Sequence, residues 1–163
     1  MSLAHAAAVK NIKSVAENNK GAEQMKKEQS YVISVSLAPG CYRHIKISAN
    51  AWLVDLHSAI IDAFEFYDDH AHAFFMNNRA WDDDDAYYAE MIDDEEMYTT
   101  DYRLCDFDLK PGDKFCYVFD FGEEWRFRLK LLRVVDGDTD VPVVVREIGE
   151  APAQYDYEFE EDE

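Results

Sequence analysis

Two histidines, His70 and His72, stand two residues apart beside Asp68 and Asp69. On an extended strand that spacing puts both rings on one side, which a metal site requires. A tetrahedral site needs two further ligands, and no others stand at diagnostic spacing. The pair therefore reads first as packed or surface histidines, with a divalent metal as the competing reading. A second group of residues runs through Asp120-Phe121-Gly122-Glu123-Glu124-Trp125-Arg126. Asp-Phe-Gly occurs in kinase metal-binding loops, but no glycine-rich phosphate loop or His-Arg-Asp loop accompanies it here. A hairpin explains these residues better: Asp120 accepts from turn amides, Gly122 supplies the turn conformation, and Trp125 covers the core. His57 stands one position past Leu56 on a helical pattern, without an evident partner, and reads as packing at the edge of the core.

Other chemistry is poorly supported. There is no G-x-S-x-G, and Cys41 and His44, three apart on a strand, fall on opposite faces. Three cysteines (Cys41, Cys105 and Cys116) without C-x-x-C spacing read as reduced thiols, and no cofactor motif is present. The acidic stretch from Asp82 to Glu96 lacks the ligand spacing of a calcium loop. It reads as a solvated loop whose interleaved tyrosines (Tyr87, Tyr88) could attract a basic partner.

These residues need elements to hold them. Residues 31–37 alternate and are β-branched, and Ala38-Pro39-Gly40 turns the chain into a returning strand over 41–48. Leu53, Leu56, Ile60, Ala63 and Phe64 repeat at helical spacing, with Ser48 or Asn50 as the expected cap. A short strand is expected near 70–76. Lys110-Pro111-Gly112-Asp113 then turns into strands over 114–121 and 125–135, and an edge strand is expected near 141–147. The expected fold is α+β: a mixed or antiparallel sheet of about five strands covered by one main helix. Residues 1–30 are expected to form a helical arm, 31–155 the domain, and 156–163 an acidic tail.

The formal charge of −19, from 35 acidic and 16 basic residues, opposes binding of phosphate backbones and anionic lipid by the bulk surface. The arm is the exception: its five lysines outnumber its three glutamates, so it can dock on an acidic body, its own or a second copy's. With no apolar run long enough to span a bilayer and no signal-peptide pattern, a cytoplasmic protein without membrane association is expected.

The run from Lys114 to Phe127 resembles the signature of the plasmid pRiA4b ORF-three-like family, roughly F-x-Y-x-Y-D-F-G-D-x-W-x-H. His70-Ala71-His72-Ala73-Phe74 resembles that family's H-x-H-x-F strand, and Gly149-Glu150-Ala151-Pro152 its late G-x-x-P segment. The resemblance implies a β-grasp-like fold and a family without an established activity. Phe127 replaces a frequent histidine, and the tail lacks the cysteine cluster seen in many members, which removes two plausible ligand positions. The leading expectation is a non-catalytic protein-interaction module with a protein partner, basic in character. The alternative is a metal-dependent hydrolase or nucleic-acid-processing enzyme linked to mobile elements. The residues on which either should be tested are His70, His72, Asp120, Gly122, Glu124, Trp125 and Arg126.

Overall fold

The computed structural model describes residues 28–93, 95 and 97–155. Seven strands make one sheet: β1 (Gln29–Ala38), β2 (Cys41–Ser48), β3 (His72–Phe75), β4 (Ala86–Tyr88), β5 (Lys114–Phe119), β6 (Trp125–Asp136) and β7 (Val143–Ile148). Their order is β4-β3-β5-β6-β1-β2-β7, and every strand pairing is antiparallel. One α-helix, α1 (Leu53–Ala63), and two short 3-10 turns at Asp83–Asp85 and Leu104–Phe107 complete the described elements.

The sequence expectation of a five-stranded, β-grasp-like sheet is corrected by this arrangement. A seven-stranded antiparallel sheet with a single helix replaces it. The strand missed altogether is β4, which lies inside the acidic stretch read as a loop. Its three residues pair with β3 while Asp83 and Asp84, in the 3-10 segment just before it, are exposed. Tyr87 is thereby free to bury its ring against Tyr102 and Phe107. At the other end of the sheet β7 adds a full six-residue strand to β2. The helical arm lies outside the described residues, apart from its last positions, where Gln29 and Ser30 open β1. The acidic tail also lies outside them.

Alternation along the strands explains why one sheet face is dry. Tyr31, Ile33 and Val35 of β1 share that face with Ile45 and Ile47 of β2, Phe115, Tyr117 and Phe119 of β5, and Phe127, Leu129 and Leu131 of β6. Leu53, Leu56 and Ile60 of α1, followed by Phe64, close over it at the expected helical spacing. The helix is not capped by Ser48 or Asn50. Instead the Asp55 carboxylate reaches back to accept from the Trp52 backbone N–H at 2.8 Å, satisfying a donor that the first turn leaves open. α1 carries the chain from β2, near one end of the sheet, to β3, near the other. A smaller cluster of Ala73, Phe75, Ala86, Tyr88 and Val118 covers the opposite face at the β3–β4 end only. Among the described residues no helix is long and apolar enough to cross a membrane.

Candidate functional site

His72 opens β3 opposite Phe119, and its ring turns toward α1, where it stacks on His57 with centroids 3.6 Å apart and planes 11° apart. Both rings are buried. His57 Nε2 lies 3.0 Å from Asp68 Oδ1, and its Nδ1 lies 2.6 Å from the Tyr117 hydroxyl. A carboxylate only accepts, so Nε2–H donates to Asp68, and Nδ1 of the neutral ring accepts from Tyr117 O–H. His72 Nε2 meets the Thr99 hydroxyl at 2.8 Å. Burial pushes His57 below the ordinary histidine value despite Asp68. Burial, reinforced by the facing His57, pushes His72 down to about 2. Tyr117 is driven well above the usual phenol value, again by burial. The result is a pair of neutral stacked imidazoles beneath an open cleft of about 440 Å³ that Asp68, Glu90 and Thr99 also line. Both nitrogens of His57 are held by protein groups, which suits an anchor between helix and sheet better than a proton carrier.

His70 lies just before β3, outside the strand, and does not converge with His72. Its Nε2 lies 3.3 Å from Asp120 Oδ2, 3.6 Å from Asp69 Oδ1 and 3.0 Å from the Tyr155 hydroxyl. Tyr155 also donates to Asp69, and that hydrogen bond holds the Asp69 carboxyl below its ordinary value. Asp120 does cap the hairpin turn: its Oδ1 accepts from the backbone N–H of Gly122 at 3.1 Å and of Glu123 at 3.2 Å. The left-handed backbone positions of this turn are Asp120 (φ 63°) and Glu124 (φ 53°), while Gly122 keeps a negative φ, so the turn does not need Gly122 for that conformation. Glu124 accepts from Trp81 Nε1 at 2.6 Å and from Arg126 Nη2 at 3.0 Å. Trp125 packs its ring 5.1 Å from Phe66 at the rim of the core.

The residues singled out in the sequence thus occupy four places: His72 in the stacked pair, His70 with Asp120 and the Gly122 turn, Glu124 with Arg126, and Trp125 against Phe66. Among the described residues no three His, Cys, Asp or Glu side chains are grouped to hold a metal ion. His70 and Asp120 are the nearest approach to such a group, and both are engaged by the hairpin and by Tyr155. Sequence reasoning missed the Asp68–His57–Tyr117 chain. The one signal for it was Tyr117 falling in register with Phe115 and Phe119, on the face that α1 covers. It also missed Arg43, which is 2% exposed. This guanidinium lies over Phe64 and donates to the carbonyls of Tyr42, Ala63 and Ile148, tying β2 to β7 and to the end of α1.

The remaining surface feature of note is the edge formed by β7. All six of its residues are exposed, with Val143 and Val145 at 47%, Val144 at 41% and Ile148 at 37%. Between this strand and α1 runs a groove of about 620 Å³. Its apolar lining includes Ile45, Ala59 and Val144, and its carboxylates are Asp55, Asp62, Asp138 and Asp140.

The model of the family described as plasmid pRiA4b ORF-3-like protein matches residues 29–159. The chain belongs to this family. Its fold is similar to the crystal structure of a protein of unknown function, MM3350, from Methanosarcina mazei Go1, with a TM-score of 0.58 and 24% identity over 74% of this chain and 70% of that one. No curated protein matches significantly. The family match shows membership and the neighbour shows a similar fold, and neither carries a described activity.

Proposed function

We propose that this member of the family is a non-catalytic protein-interaction module that receives an extended, basic segment of a partner protein along β7. The observation that carries the reading is that, among the described residues, β7 is the outermost strand of the sheet. An edge strand with open backbone groups and four exposed apolar side chains is a template for strand addition, and proteins ordinarily blunt such an edge with lysine or proline. Only Arg146 stands on β7 as a cation. Carboxylates from α1 (Asp55, Asp62) and from the turn before β7 (Asp138, Asp140) flank the apolar groove, so a segment alternating valine-like and lysine-like residues meets both an apolar floor and opposite charge.

A synthetic peptide alternating valine and lysine is the probe, titrated by fluorescence anisotropy while backbone hydrogen exchange of residues 143–148 is followed. Binding should slow exchange there. Asp62→Asn with Asp140→Asn should weaken it about fivefold, since two exposed pairs contribute roughly 0.5 kcal/mol each. Saturating peptide without protection of β7, or affinity indifferent to both substitutions, refutes the proposal.

A further inference from the structure

The face of the sheet opposite α1 concentrates positive charge in a chain whose acids outnumber its bases about two to one. Arg126, Arg128 and Lys130 project from β6 at alternate positions, because Phe127, Leu129 and Leu131 take the buried ones. Past a bulge, Arg133 pairs with Val32 of β1 and so returns to the same exposed face. Lys114 of β5 stands directly opposite Lys130, while Lys46 and Arg146 extend the basic surface across β2 and β7. No aspartate or glutamate occupies a strand position on this face from β5 through β7. At the rim Glu124 pairs with Arg126 at 3.0 Å.

A sheet face that merely meets solvent would mix both signs, and like charges directly opposite each other, as at Lys114 and Lys130, are destabilising. The arrangement calls for an anion. A broad trough of about 930 Å³ lies over this face, with Ser34 and Ser36 of β1 and Cys116 of β5 between the cations. We infer that this trough binds a single-stranded nucleic acid, its backbone running along the cations of β6. Cations at alternate strand positions are about 6.8 Å apart, a repeat that an extended chain of phosphates can follow. Four of the seven are arginine, whose planar fork pairs with phosphate through two hydrogen bonds. Tyr42 and His44 of β2, stacked with centroids 5.3 Å apart beside Arg146, stand on the same face beyond β1, outside the trough, where a base reaching across β1 can stack. The acids of α1 lie beyond the core on the other side of the sheet, where a Debye length of about 8 Å at physiological salt screens them. The −19 total misleads because it averages over two faces of opposite character.

The test uses the full chain and a labelled single-stranded oligonucleotide of about 12 residues, as RNA and as DNA, with polyglutamate of matched charge as the comparison. Contact with about four phosphates gives a logarithmic salt slope near −2.8, so affinity should fall roughly 50-fold from about 50 to about 200 mM salt. Arg126→Ala with Arg128→Ala and Lys130→Ala should flatten that slope by about 2, whereas Lys110→Ala, outside the trough, should leave it unchanged. Circular dichroism and the melting temperature establish that each variant is folded. No binding at low salt, a triple variant that binds like the parent, or binding of polyglutamate in place of the oligonucleotide each overturns the inference, the last by reassigning the face to acidic protein segments. Because the β7 groove lies on other residues, the valine–lysine peptide should bind the triple variant normally, so the two proposals fail separately.

Discussion

Lowering the pH from about 7.5 to about 4.5 should cost this protein stability through His72, and the size of the loss follows from its burial. The ring is 5% exposed, faces His57 at 3.6 Å, and is held to about 2 in the folded chain, against 6.5 when exposed. Below 6.5 the unfolded chain takes up a proton that the folded one refuses, so stability drops as pH falls, by about 1.4 kcal/mol per unit. Two units below 6.5 amounts to about 3 kcal/mol, or a melting temperature lower by roughly 10 °C for a domain of this size. His57 and His44, both also pushed down chiefly by burial, add in the same direction. The carboxyls held below their ordinary values, Asp69 and Glu124, lose most of their contribution at lower pH, and the part lost near 4.5 is common to parent and variant. His72→Gln isolates the effect, because the amide can still bond the Thr99 hydroxyl while carrying no proton. Urea unfolding followed by tryptophan fluorescence at both pH values should show the parent losing about 3 kcal/mol more than the variant. Relief of the −19 net charge on acidification affects parent and variant alike and cancels in the comparison. Equal losses in the two proteins would refute the account of a buried, neutral His72.

Two further substitutions probe how β7 is held. Gly149, just past β7, has φ +80°, and an added Cβ would lie 2.1 Å from the Gly40 carbonyl oxygen. Gly149→Ala should therefore cost about 3 kcal/mol or more in urea unfolding, from left-handed strain plus a clash between two backbones. Gly112→Ala, at φ +95° with nothing within 4 Å, should cost only about 1–2 kcal/mol, and similar losses at the two sites would contradict the close approach. Arg43→Met keeps the apolar stem but removes the donors to Tyr42, Ala63 and Ile148; a loss of about 3 kcal/mol, with faster hydrogen exchange across β7, is expected. Unchanged exchange of β7 would show that the clasp is dispensable.

How much of this was legible depended on whether the signal was local. The β1–β2 hairpin, the stripe of α1 and the β5–β6 hairpin each announce themselves within about two dozen consecutive residues, and each stands where its pattern placed it. β4 did not, because three residues between runs of aspartate carry too little periodicity to outweigh the charge around them; its pairing with β3, its bridge to Tyr98 and the ring contacts of Tyr87 make it a strand. The candidate site failed for a related reason. His70 stands before β3, outside the strand, so alternation does not place it, and what each ring meets is decided by α1, by Thr99 and by Tyr155, none of them adjacent in sequence. His57, expected at the edge of the core, is a central link, since its partner Tyr117 lies 60 residues away.

The same alternation ties the core to the surface. Burying Phe127, Leu129 and Leu131 under α1 obliges Arg126, Arg128 and Lys130 to stand together on the far side, and the bulge at Val32/Ile33 keeps Arg133 in phase with them after one extra residue. A one-residue slip of β6 would exchange the two sets, burying three cations and exposing three apolar side chains at a cost no domain of this size could meet. The register that makes the core is thus the register that sorts the charge. Acidic groups gather around α1, β4 and the turn before β7, while basic groups gather behind the sheet. A protein with this net charge can therefore offer an acidic, apolar edge to one partner and a basic trough to another without either surface disturbing the packing between them.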